Sequence, residues 1–60
     1  MTDVQVRKVK GWEVRVRPEH GRADFLITAI APGRKHFIRL ERQTAEAVKV
    51  FDPVKAWEDR

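Results

Sequence analysis

The sequence has no cysteine, one methionine, and only three prolines and three glycines in sixty residues. The lack of cysteine excludes disulfides and the common zinc sites, and His20 and His36 sit among basic residues without metal-site spacing. No metal or cofactor is therefore expected. No apolar run approaches the ~20 residues of a membrane span. The chain also does not start with a basic-then-apolar signal segment, so a cytoplasmic location is expected: nucleoid-associated, in a phage-infected host, or nuclear if the source is eukaryotic. A Walker-type phosphate loop is missing too. His20, His36, Asp24 and Glu41 supply titratable groups, but no nucleophile, base and orienter fall into an arrangement. An enzyme is not expected. With no repeat, linker or low-complexity stretch, residues 1–60 read as a single domain. A chain this short buries only about 60% of its unfolded surface. With disulfides and metals excluded, self-association is the remaining support, and a homodimer is expected.

The charge that is present is uneven. Up to Arg42 there are ten Lys or Arg against five Asp or Glu; from Gln43 onward there are three against four. The basic excess thus belongs to the first two-thirds, where the pattern is that of strands. Val4 and Val6, then Trp12, Val14 and Val16, alternate with polar residues at the period of two that marks a half-buried sheet. A three-residue loop of Val9, Lys10 and Gly11 would set Val6 opposite Val14 and Val4 opposite Val16. It would also pair Arg7 with Glu13 and Asp3 with Arg17 across the strands. A two-residue Lys10-Gly11 loop would instead mix valines with Arg15 and Arg17 on one face, and the three-residue loop is the expectation. Glu19 to Arg22 form the next turn, setting Val16 opposite Phe25 and Val14 opposite Ile27. After a strand from Asp24 to Ala31, Pro32-Gly33 marks the third turn. Any even-length loop there keeps Ile38 and Leu40 on the face of Phe25 and Ile27.

One face is then a core of Val4, Val6, Trp12, Val14, Val16, Phe25, Ile27, Ala29, Ile38 and Leu40. The other carries Arg7, Val9, Arg15, Arg17, Leu26, Thr28, Ile30, Lys35, Phe37 and Arg39. Cations interleaved with apolar and aromatic groups suit a groove that tracks phosphates while flat side chains stack on bases; burial of Leu26, Ile30 and Phe37 against another protein is the competing reading. Thr44 is the expected N-cap of a helix covering the core face with Ala47, Val48 and Phe51. Asp52-Pro53 interrupts that helix, and a further turn carries Val54 and Trp57. The whole is an α+β fold, a four-stranded antiparallel meander followed by a kinked C-terminal helix (ββββα). The apolar helix residues Val48, Phe51, Val54 and Trp57 form the expected dimer interface.

Val4, Val6, Arg7, Lys10 and Gly11, followed by Pro32-Gly33-Arg34-Lys35 and an apolar strand with Ile38 and Leu40, resemble the positive cofactor four family of transcriptional coactivators and its bacterial and phage relatives. The resemblance runs from about residue 4 to residue 51. It implies four antiparallel strands, a kinked helix, dimerisation, and binding of single-stranded DNA or unwound duplex in transcription, replication or recombination. Carried over by position, Arg7, Lys10, Arg17 and Lys35 match residues that contact the DNA backbone, and Val9 matches an aromatic residue near the bases. The chain departs from the family in having valine at that position, His20 in place of a tryptophan, and a hairpin one residue shorter. Phe37 is the candidate replacement stacking platform. Together with Arg15, Arg34 and Arg39, these residues make up the expected site for single-stranded DNA, RNA or unwound duplex. Transcription or replication proteins are further expected partners, and docking of the basic-apolar sheet on an acidic protein is the alternative function.

Overall fold

The computed structural model of the chain describes residues 4–19 and 24–59. Strands β1 (Gln5–Val9), β2 (Trp12–Glu19), β3 (Asp24–Ile30) and β4 (Phe37–Gln43) form one antiparallel sheet in sequence order. Two short helices follow, α1 (Ala45–Lys49) and α2 (Pro53–Glu58). The expected four-stranded meander and broken helix are both present.

The first hairpin departs from expectation. Its loop has two residues, Lys10 and Gly11, with φ of 52° and 86°, and Val9 lies opposite Trp12. Positive φ at both central residues is the hairpin geometry that matches the right-handed twist of the flanking strands. Gly11 suits this corner twice over, because an added Cβ would also come within 3.2 Å of the Pro32 side chain. A register shifted by one residue moves every side chain of a strand to the opposite face. Val4 and Val6, expected in the core, therefore stand on the outer face with 42% and 57% of their surface exposed. Gln5, Arg7 and Val9 take the inner face instead, in line with Val16, Val14 and Trp12. Lys8 replaces Arg7 as the residue across from Glu13.

The second hairpin keeps its faces but slides by two residues. Val16 pairs with Ile27 and Val14 with Ala29, so the parity is unchanged. In the third, Ile38 lies opposite Ala29 and Leu40 opposite Ile27, as the even-length loop requires. A single 3-10 turn (Pro32–Arg34) makes this connection, closed by hydrogen bonds from Arg34 N–H to the Ala31 carbonyl (2.8 Å) and from Ala31 N–H to the His36 carbonyl (2.9 Å). Further along β4, Gln43 and Leu40, the partners of Phe25 and Ile27, are three positions apart instead of two, and Arg42 has a φ of 57°. This bulge returns Gln43 to the inner face and delivers the chain to α1.

The core is Trp12, Val14, Val16, Ile27, Ala29 and Ala31, with Val9, Phe25, Ile38, Leu40, Val48, Phe51, Val54 and Trp57 packed around it. Thr44 caps α1, its hydroxyl accepting the Ala47 N–H at 3.1 Å. Asp52 caps α2 after the break, its Oδ1 accepting from Val54 N–H (3.0 Å) and Lys55 N–H (3.3 Å), with Pro53 buried at the first helical position. Trp57 lies 5.9 Å from Trp12 and stacks on His36 at 4.8 Å between ring centroids. The four helix residues assigned to a dimer contact thus pack on the chain's own sheet. All four are half-buried there, and Val50 between the two helices is 79% exposed.

Candidate nucleic-acid interface on the open sheet face

Both helices lie on the inner face, which leaves the outer face of the sheet uncovered among the described residues. The registers arrange this face in rows across the strands. Lys8, Glu13, Ile30 and Phe37 form one row, and Val6, Arg15, Thr28 and Arg39 form the next. Arg17 and Leu26 face each other in a third. Neighbouring strands lie about 4.8 Å apart, and same-face residues along one strand about 6.6 Å. The face is therefore a grid of cations and apolar groups with a fixed pitch. Phe37 is its aromatic member, on edge strand β4 and 64% exposed. Leu26 is nearly buried even here, sharing a shallow groove of about 190 Å³ with Val4, Arg15, Arg17 and Thr28. Arginine stems can lie along apolar surface while their heads remain in water.

The cations on this face fall into two groups. Arg15 and Arg34 both donate to Glu13, through Nε at 2.5 Å and Nη1 at 3.4 Å, and Arg39 lies 3.5 Å from Glu41. The hydrogen bond from Arg15, reinforced by the charges of Arg15 and Arg34, holds the Glu13 carboxyl below its ordinary value of 4.5 despite opposition from burial. Lys8, Arg17 and Lys35 make no ion pair among the described residues. They carry the charge most readily offered to an anion.

Of the expected site residues, Arg15, Arg17, Phe37 and Arg39 share the open face. Arg34 joins them through Glu13, and Lys35 stands exposed on the adjoining turn. Three others are elsewhere. Arg7 faces the helices and donates to the Val48 carbonyl at 3.0 Å. Val9 packs against the core. Lys10 reaches back to Asp52 Oδ2 at 2.8 Å, tying the first hairpin to the cap of α2. The same hydrogen bond raises the Lys10 ammonium above its ordinary 10.5 and, with the N–H of Lys55, lowers the Asp52 carboxyl below 3.8. His20 lies outside the described residues. Sequence reasoning missed Lys8 and Val6 as members of the open face. The signal that could have found them is Gly11 itself, since glycine readily takes the positive φ that the second position of a two-residue hairpin turn requires.

A second groove, of about 270 Å³, lies on the inner side between the sheet and α1, lined by Gln5, Val16, Pro18, Phe25, Ala45, Val48 and Lys49. With one cation and mostly apolar walls, it is poorly suited to a polyanion. No group of three or more potential metal ligands occurs among the described residues, and no helix there is long and apolar enough to cross a membrane. No family model, curated protein or solved structure matches the chain.

Proposed function

We propose that the chain binds single-stranded nucleic acid on the open face of its sheet, with weak sequence preference. The observation that carries this reading is an exposed aromatic ring, Phe37, set in an uncovered face bearing Lys8, Arg15, Arg17 and Arg39. Stacking on an aromatic ring contributes about 1–3 kcal/mol per base whatever the base. Arginine and lysine neutralise phosphates and release condensed counterions. The family resemblance points to the same ligand and to roles in transcription, replication or recombination. Its implied contacts divide, however: Arg17 and Lys35 remain candidates, whereas Arg7, Val9 and Lys10 are engaged on the helix side.

A second reading, docking on an acidic protein, draws support from the strip of Val4, Val6 and Leu26 beside Arg15 and Arg17. Arg39 discriminates between the two. A phosphate groove tolerates Arg39→Lys with modest loss, whereas a bidentate contact to a carboxylate does not.

The test is fluorescence anisotropy of a labelled single strand and its duplex at several salt concentrations, with mass by light scattering on the same sample. If three or four phosphates are neutralised, the log–log salt slope should be about −2 to −3 on the single strand. Light scattering tests the homodimer that the resemblance implies. Equal binding of both forms, or affinity indifferent to salt, would sink the proposal.

A further inference from the structure

Glu13 is out of place in a phosphate-binding face. Its carboxylate sits in the middle of the cations, repels a polyanion, and occupies donors of two arginines that phosphates could otherwise use. Its position gives it a second capacity. Glu13 lies directly opposite Ile30, and Ile30 directly opposite Phe37. With strands about 4.8 Å apart, the backbones carrying Phe37 and Glu13 are about 10 Å apart, with Ile30 as the floor between them. A base stacked on Phe37 and resting on Ile30 points its hydrogen-bonding edge along this row towards the carboxylate.

Resting on the nucleic-acid reading above, we infer that Glu13 discriminates among bases in this row, favouring those with an exocyclic amine over thymine and uracil. An ionised carboxylate is acceptor-only, with about four lone-pair sites, and Arg15 and Arg34 engage one oxygen each. The remaining sites accept from the amine of cytosine or adenine, or from the adjacent N1–H and N2 amine of guanine. Thymine and uracil offer one N–H flanked by two carbonyl oxygens, which the carboxylate repels. The side chain is only 19% exposed and is held from two sides, so it does not swing away to avoid the mismatch. The arginines thus act as positioning residues for the carboxylate.

The test compares a labelled thymine oligonucleotide with one in which alternate thymines are cytosine, at neutral pH and fixed salt. One net hydrogen bond predicts about three- to tenfold tighter binding of the cytosine-containing strand. In Glu13→Gln, both strands bind more tightly because a negative charge is gone, and the ratio falls to near one because an amide can donate to thymine as well as accept. Glu41→Gln removes the same charge from the same strand-bearing face but outside the Phe37 row, and there the ratio keeps its wild-type value. A strand carrying the cytosine analogue that lacks the exocyclic amine repeats the test without changing the protein, and should bind like thymine. Equal affinity for the two strands in the wild type, or a preference that survives Glu13→Gln, overturns the inference while leaving the groove intact. Binding of neither strand overturns the nucleic-acid reading and the inference with it.

Discussion

The two faces of this sheet are built from alternate residues of the same strands, yet they do different work. On the inner face, Val14, Ile27 and Ala29 have no exposed surface, and the cations beside them are bound to a backbone carbonyl or to a cap. Arg7 holds the Val48 carbonyl near the end of α1, and Lys10 holds the cap of α2. On the outer face, Val4, Val6 and Phe37 are open to solvent among paired and unpaired charges. Arg7 and Lys10 therefore fasten the helices to the sheet, while on the outer face Arg15 and Arg39 pair with carboxylates and Lys8 and Arg17 make no ion pair among the described residues. Residue type does not distinguish the two roles, since both faces use arginine and lysine; the parity of the strand position does.

The largest expected contrast is in stability. Ile27→Ala removes a fully buried side chain from the centre of the inner face and should cost about 2–5 kcal/mol, enough to unfold most of a domain this small. Val6→Ala on the outer face should cost less than about 1 kcal/mol. Urea titrations of the two variants make the comparison. Similar losses would mean that the outer face is also part of a buried interface.

A smaller effect, in the opposite direction between faces, concerns binding. Phe37→Ala should weaken single-strand affinity by about 1–3 kcal/mol with little change in unfolding midpoint. Lys10→Ala should leave both the affinity and the salt slope unchanged while lowering the midpoint. Loss of affinity in Lys10→Ala would restore to the site a residue that the first hairpin's register takes out of it.

The smallest effect is a pH dependence. Folding lowers the Asp52 carboxyl, chiefly through Lys10 and the N–H groups of α2. A depressed folded-state pKa contributes stability above the unfolded value, here about 3.8, and that contribution is lost as pH falls through the folded value. Glu13 behaves in the same sense from its ordinary 4.5. Asp52→Asn should therefore flatten the acid limb of the stability profile and lower the plateau near neutrality, as read by thermal melts across the acid range. An acid limb as steep as that of the wild type would show that the Lys10–Asp52 contact does not persist in solution.

Much of this architecture is legible in the residues. Thr44 and Asp52-Pro53 announce a capped, broken helix because both signals are local: a hydroxyl or carboxylate facing unpaired N–H groups, and a ring that disfavours helix in the residue before it. The faces of β2, β3 and β4 follow from their alternation, and a slide of two residues in the second hairpin leaves them unchanged because the period of a strand is two. The first hairpin is the case where local signals ran out. Its charges support either loop length, since Arg7 opposite Glu13 and Lys8 opposite Glu13 are both favourable pairs, and its valines favour the longer loop. The expectation that Arg7 and Val9 lie on the outer face came from that one step.

By itself, then, the sequence determined the element order, the inner faces of three strands and the two helix starts, because alternation and capping act between residues close along the chain. Only the tertiary structure decided which side of β1 faces the helices. That choice depends on contacts between residues some forty positions apart, Arg7 with Val48 and Lys10 with Asp52, together with Val9 packing opposite Trp12. A one-residue slip exchanges the two sides of a strand at almost no local cost, so the partners waiting on each side make the selection.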